Sequence, residues 1–294
     1  MKDSGQARMT TKRENNFGEG NKGLNMKKLG LIAGVGELPL AIAREAKAKG
    51  YTVFAIALEP LAEKALLSYV DEIKWVDVGK FGKIMDTLKK NKIKEAVMVG
   101  KVPKSLLYKS KIIPDVRAMK LLFSLKDRSD ESILQAIAKE LEKEGIHLLT
   151  IPSLCSSLLT PEGILTGDKP TKDEWKDIAF GWKIAKEMGK LDIGQTVVVK
   201  NQAVMAVEAI EGTDEAIKRG GKLAGRGAVI IKVSKPNQDL RFDVPVVGLD
   251  TLKVMREASA RVLAVEAGKS IILNKDSLVE KSDKAGIAVV GYKG

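Results

Sequence analysis

Short apolar runs alternate with helix-forming stretches between residues 29 and 100, and that alternation limits the fold more than any other feature. Residues 29–33 are a short apolar run that ends at Gly34-Val35-Gly36, and Pro39 then suits the first turn of a helix carrying Leu40, Ile42 and Ala43. Residues 51–58 are a second apolar run, stopped at Glu59-Pro60. Residues 72–77 and 95–99 read as two more strands, the last ending at Gly100-Lys101. The Lys/Gly loop 79–83 lies between them and leads into a helix with Ile84, Met85 and Leu88. Strands separated by helices pair in parallel and are covered on both faces. In residues 130–144, Ile133, Leu134, Ile137, Ala138 and Leu141 share one face, which predicts an amphipathic helix. The fold class is α/β, with an N-terminal Rossmann-like parallel sheet over residues 26–155.

The stretch 152–170 is Ser-, Gly- and Pro-containing and weakly periodic, so the domain boundary is placed there. Beyond it the pattern is that of a second, mixed α/β domain, residues 156–294. A helix is expected over 172–189. Strands over 195–200 and 203–211 are joined by Asn201-Gln202, a hairpin signal. A short helix over 213–219 would be capped by Thr213. A buried strand is expected at 228–233, a helix at 251–261, a strand at 263–267 and a hairpin-like turn at 269–273. Residues 1–25 are polar and without periodicity, which reads as a disordered extension.

Composition removes several function classes. No run of about 18 apolar residues is present, so no transmembrane helix is expected. The N-terminus lacks the apolar core of a signal peptide, and a cytoplasmic protein is expected. A single cysteine, Cys155, and a single histidine, His147, leave no zinc site of the usual kind; packing is expected for the first and a strand start for the second. The net charge of +12 favours anionic partners: phosphorylated metabolites or an anionic lipid surface. Only 4% of residues are aromatic and no nucleic-acid motif is present, so no nucleic-acid partner is expected.

The segment 235–245 holds the densest chemistry. Pro236 and Pro245 bracket it, and an extended chain would put Asp239, Arg241 and Asp243 on one face. Carboxylates beside a guanidinium suit metal-assisted phosphoryl chemistry, because carboxylate oxygens hold Mg2+ and arginine matches phosphate. The competing reading is a polar edge strand with an ordinary salt bridge. Gly34-x-Gly36 follows a strand and precedes a helix, where backbone amides cradle phosphates. With Glu59 as a ribose-binding acid it also allows a nicotinamide-dependent oxidoreductase, although Pro39 stands where the dinucleotide motif has glycine. Lys101 lies at a strand's C-terminal edge, where open sheets bind ligands. Glu208, Glu211, Gly212, Thr213 and Asp214 run from a strand into a helix start, which suits a metal, a phosphate or merely the helix dipole.

Taken in order, these blocks resemble one family. The opening Leu29 to Pro39, the element Phe81-Gly82-Lys83-Ile84, Leu191-Asp192-Ile193-Gly194-Gln195, Ala206-Val207-Glu208-Ala209 with Glu211-Gly212-Thr213-Asp214, and Lys235-Pro236 with Arg241-x-Asp243-x-Pro245-x-x-Gly248 are similar to the LpxI-type UDP-2,3-diacylglucosamine diphosphatases of lipid A biosynthesis. The resemblance spans about residues 27–291. It implies hydrolysis of UDP-2,3-diacylglucosamine to UMP and 2,3-diacylglucosamine 1-phosphate (lipid X), a divalent cation, normally Mg2+, and a substrate bound between two domains. It places the family's critical aspartate at Asp243. The expected site then has Asp243, Arg241 and Lys235 as catalytic residues. Asp243, Asp239, Glu211 and Asp214 hold metal. Gly34, Gly36, Lys101, Gly212 and Thr213 contact phosphate or nucleotide. The expected location is the cytoplasmic face of the inner membrane, held peripherally by its anionic surface, with a homodimer left open. A nucleotide- or lipid-binding protein without turnover is the other reading.

Residues 1–25 carry no apolar periodicity with which to join a core. Deleting them is expected to leave the melting temperature and turnover unchanged. A thermal melt of the truncated chain that falls by several degrees would show that the segment docks.

Overall fold

The computed structural model describes residues 27–103, 112–125, 127, 129–236 and 238–294. The reading of residues 1–25 lies outside that set. The first sheet is built from β1 (Lys28–Ala33), β2 (Thr52–Glu59), β3 (Glu72–Asp77), β4 (Glu95–Val99) and β5 (His147–Leu148). All five are parallel, in the order β3-β2-β1-β4-β5. Alternate residues of each strand feed two cores. Leu29, Leu31 and Ala33 pack with Ile42, Ala43 and Ala46 of α1 (Leu38–Ala48). On the other face, Ile32, Phe54 and Ile56 pack with α2 (Phe81–Lys90), α3 (Val116–Ser124) and α4 (Asp130–Lys143) through Met85, Leu121 and Leu141. Cys155 is fully buried in the first core, and burial pushes its thiol up to about 12, which fits packing rather than reactivity.

A short helix, α5 (Ile151–Leu154), leads to the second half. Its elements are β6 (Gly163–Ile164), α6 (Lys172–Lys190), β7 (Thr196–Lys200), β8 (Ala203–Val207), α7 (Thr213–Ala224) and β9 (Val229–Lys232). They continue with β10 (Val246–Val247), α8 (Leu249–Glu257), β11 (Val262–Glu266), β12 (Ile271–Ile272), α9 (Lys275–Lys284) and β13 (Ala288–Tyr292). The sheet order is β6-β13-β11-β9-β7-β8. Strands β13, β11 and β9 are parallel, whereas β6, β7 and β8 run antiparallel to their neighbours. Helix α6 covers one face, and α7, α8 and α9 cover the other.

The local chemistry explains most boundaries. The β7–β8 turn is the one expected: Asn201 and Gln202 both have positive φ, 51° and 55°, as a tight two-residue hairpin requires. Buried Asp177 of α6 accepts from both turn amides, at 3.0 and 2.5 Å. Thr171 and Glu174 close a reciprocal cap at the start of α6.

Several expectations are corrected. Helix α7 begins after Gly212, not under a Thr213 cap, and runs to Ala224; Thr213 instead donates its hydroxyl to Glu208 at 2.9 Å. Strand β8 ends at Val207, short of residue 211. Helix α8 spans Leu249–Glu257 rather than 251–261, because Ser259 at φ +52° turns the chain out of the helix. The 269–273 stretch is no hairpin: β12 pairs in parallel with β10. Helices α3 and α9 and strand β13 were not anticipated.

The two halves share buried side chains. Val244, Ile271 and Leu273 belong to the same core as β1 and β4 of the first sheet. At the crevice between β1 and β4, the chain after β1 folds back on the end of β4. Gly34 N donates to Val99 O at 2.8 Å, and Val35 and Lys101 exchange a pair of backbone hydrogen bonds. The approach is close enough that a Cβ at Gly100, where φ is +95°, would sit 2.8 Å from the Gly34 backbone. Gly100→Ala is therefore expected to destabilise the fold by about 1–3 kcal/mol, read from chemical denaturation midpoints.

Candidate active site

The strand order of the first sheet reverses between β1 and β4, which opens a crevice outside their carboxyl ends. Gly34, Gly36 and Lys101 sit at its mouth. The amides of Gly34 and Val35 already donate to the backbone of Val99 and Lys101. Gly36, at φ +111°, has no heavy atom within 4 Å of where a Cβ would stand, so its backbone faces open space at the start of α1.

From the second half, the C-terminal end of β9 delivers Lys232. This residue lies in the run Val229-Ile230-Ile231-Lys232-Val233, and it is buried with its neighbours, at 7% exposure. Its ammonium donates to Thr213 Oγ1 at 3.1 Å and to Val246 O at 3.0 Å. Burial lowers the Lys232 pKa; Glu208, Asp214 and Asp243 oppose that shift and Lys101 adds to it. Charges from both halves thus act on one buried amine. Of the residues expected at the site, Thr213 bonds to Lys232 directly, and the charges of Lys101, Asp214 and Asp243 act on its amine. Sequence reasoning missed Lys232 itself. The available signal was a lysine inside an otherwise apolar buried strand, since a lysine is almost never fully buried without a partner.

Residues 238–245 are not extended, which corrects the reading that put Asp239, Arg241 and Asp243 on one strand face. They form a turn. The amides of Phe242 and Asp243 both donate to Asp239 O, at 3.0 and 3.2 Å, and Arg241 N donates to the Asp239 carboxylate. A side-chain oxygen that accepts from the amide two residues on favours a turn over a strand. Arg241 then grips Asp239 through Nη2 at 2.6 Å and Nε at 3.0 Å, and Gln135 of α4 bonds to both partners. Asp243 is exposed, and its Oδ2 accepts from Gln238 Nε2 at 2.6 Å. Gln238 also accepts from Lys235 N and Ser234 Oγ, so it ties the loop together. Lys235 extends its own ammonium to Asp192.

The loop's root is fixed by Glu266 at the end of β11, which is 4% exposed. Its carboxylate accepts from Ser234 N at 2.8 Å and from Lys186 Nζ at 2.8 and 2.9 Å. The far end of the loop is fixed by Val244, buried in the first core, and by Ile151 N donating to Leu240 O at 2.9 Å.

Family models describe this chain in two pieces: the LpxI N-terminal domain matches residues 28–158 and the LpxI C-terminal domain matches residues 161–290. The UDP-2,3-diacylglucosamine pyrophosphatase LpxI of Caulobacter vibrioides is 32% identical over 277 residues, covering 90% of this chain and 98% of that one. The chain belongs to the LpxI family. Among solved structures, a phosphoribosylglycinamide synthetase from Anaerococcus prevotii overlays at 14% identity with a TM-score of 0.27, covering 70% of this chain and 45% of that one, too low a score to bear on the fold.

Within this LpxI-family site the acidic residues divide into two groups. Asp239 is held by Arg241, and Glu211 by Arg219 at 2.6 Å. The charges of Asp243 and Asp214 act on the Lys232 ammonium, whose hydrogen bonds go to Thr213 and Val246. Among the described residues no three His, Cys, Asp or Glu side chains are grouped to enclose a metal ion. Mg2+ needs no such cage, because it is commonly bound through one or two carboxylates, its own waters and substrate phosphates. Asp243 and Asp214 fit that donor set; Asp239 and Glu211, committed to arginines, fit it less well.

The hydrogen bond from Arg241 holds the Asp239 carboxyl below the usual carboxylate range, with burial opposing. A carboxyl with a lowered folded pKa adds stability above its unfolded value, near 3.9, and that stability is lost as pH falls through the folded value. Asp239→Asn is therefore expected to be less stable than the parent at pH 6, with the difference closing below about pH 4. Urea midpoints of the two proteins between pH 3 and pH 6 measure it.

Proposed function

We propose that this LpxI-family protein hydrolyses the diphosphate of UDP-2,3-diacylglucosamine, giving UMP and 2,3-diacylglucosamine 1-phosphate. The observation that supports the reading is a lysine, Lys232, buried at the end of β9 with its ammonium bonded to Thr213 at the start of α7, where the charges of Lys101, Asp214 and Asp243 also act on it. A diphosphate arriving there finds cations for its negative charge and carboxylates for a water molecule. Water forms a new bond to one phosphorus while the bridging P–O bond breaks. The water's oxygen stays on one product phosphate, and the departing phosphate leaves as the second product.

Asp243 is the group that orients the attacking water and accepts its proton. Gln238 donates to one carboxylate oxygen of Asp243 and so fixes its orientation. Lys101 neutralises phosphate charge from the side of the first sheet. Gly36 and Gly212, at the starts of α1 and α7, carry backbone at the rim for the nucleotide. Asp243 and Asp214 are the residues that would hold Mg2+, which would supply Lewis-acid polarisation of a phosphoryl oxygen. Arg241 and Lys235 act by holding the loop, through Asp239 and Asp192.

The lipid end of the substrate needs apolar surface. Val102, Ile113, Val116, Met119 and Phe123 are exposed on the chain that leaves the end of β4 and on α3, Phe123 by 80%. The acyl chains leave the cleft across this side. No helix among the described residues is long and apolar enough to cross a membrane. The positive charge of the chain draws it to an anionic cytoplasmic membrane surface, where the substrate resides.

The test is UMP release from UDP-2,3-diacylglucosamine by the purified protein with Mg2+ and with excess EDTA. Turnover is expected in the first and not in the second. Full activity in EDTA removes the metal, and no UMP with any divalent cation removes the function. Asp243→Ala is expected to lower kcat by about 100-fold or more with the melting temperature and KM nearly unchanged, since its carboxylate acts on the transition state.

A further inference from the structure

Lys232 is an expensive residue to bury. An ammonium has three protons to donate, and a lysine out of water keeps its charge only with good partners. The acceptors that reach it among the described residues are neutral: the Thr213 hydroxyl and the Val246 carbonyl. Its carboxylate counter-charge is one step removed. Thr213 Oγ1 donates to Glu208 Oε1 at 2.9 Å, and Glu208 is itself 8% exposed. The hydroxyl thus accepts from the lysine and donates to the glutamate, so its orientation is fixed by both. A lysine placed for stability alone would bond directly to that carboxylate, as Lys186 does to Glu266 nearby. Here the threonine keeps the two charges apart and leaves one ammonium proton without a protein acceptor among the described residues.

We propose that Lys232 is a diphosphate-binding residue, and that Thr213 and Glu208 are its positioning residues. The assignment rests on the reaction proposed above and names the group that takes the charge of the substrate's diphosphate. Lys232 stands at the carboxyl end of its strand and Thr213 at the start of its helix, and the Lys101 and Asp243 charges both act on the amine. The ligand chemistry is a nucleoside diphosphate: two adjacent phosphates, whose oxygens supply the acceptor that Lys232 lacks. Thr213 is then no phosphate ligand, because its hydroxyl proton is committed to Glu208 and its oxygen to Lys232.

The experiment compares UDP with uridine, two probes that differ only in the diphosphate. Isothermal titration of the full-length protein is expected to show a clear preference for UDP. Lys232→Met removes the charge and keeps the length of the side chain; it is expected to weaken UDP binding by about 10-fold or more while uridine binding is unchanged. Thr213→Val keeps the lysine but frees it from its guide, and is expected to lose part of the same preference. It also serves if the methionine protein does not fold. A merely structural role for Lys232 would weaken both probes together, and that result overturns the proposal. So does a wild-type protein that binds UDP no better than uridine, or a folded Lys232→Met protein whose preference for UDP is intact. If the preference collapses in Lys232→Met but the wild-type protein releases no UMP from the lipid, the assignment of Lys232 stands and the proposed reaction does not.

Discussion

The burial of Val244 in the core of the other half is the contact on which the site's geometry depends. At 4% exposure, its side chain sits in the same cluster as Leu31 and Val97. Burying a valine stabilises by roughly 1.5–3 kcal/mol, and it anchors the residue that follows Asp243 against the first sheet. The other end of the loop is held in the second sheet, where Glu266 binds the Ser234 amide and Lys186. Between these anchors the chain closes on itself through Asp239, Arg241 and Gln238. Asp243 is left exposed just after the turn, and its charge acts on the buried Lys232 of the preceding strand. A flexible acid would lose the advantage of a preset position; this one is fixed by a bond to Gln238 on one side and a core contact on the other.

The same constraint links the halves to each other. Gln135 of α4 bonds to Asp239 and Arg241, and Ile151 bonds to Leu240. Asn274, at the start of α9, reaches Glu37 beside α1 at 3.3 Å. These contacts lie on the carboxyl-end side of the first sheet, where its strand order reverses and where parallel sheets present ligand sites. The cleft therefore follows from topology, and the loop chemistry is mounted on it.

The sequence made the scaffold legible because its signals are local and periodic. The strands around Leu31, Ile56 and Val97 show as apolar runs, and Asn201-Gln202 marks its turn by backbone preference alone. The 235–245 loop was misread because two prolines and alternating charges suit a strand equally well. What decides against the strand is a carboxylate that accepts from the amide two residues on, together with a tertiary anchor, Gln135, 104 positions from Asp239 and 106 from Arg241. Thr213 looked like a helix cap because threonine usually is one; its hydroxyl is claimed instead by Glu208 across the strand–helix junction. Lys232 was passed over because the run around it reads as core. Only its position at the strand's carboxyl end, beside charges from distant segments, gives the lysine a meaning other than a misplaced charge.

The central claim is that one substrate spans both halves at the Lys101–Lys232–Asp243 meeting point. Amide hydrogen exchange on the Asp243→Ala protein with UDP-2,3-diacylglucosamine bound tests it most directly. The account predicts slowed exchange at residues 99–102 of the first half together with residues 211–216 and 232–246 of the second. Protection confined to one half, or centred away from these three segments, would contradict it.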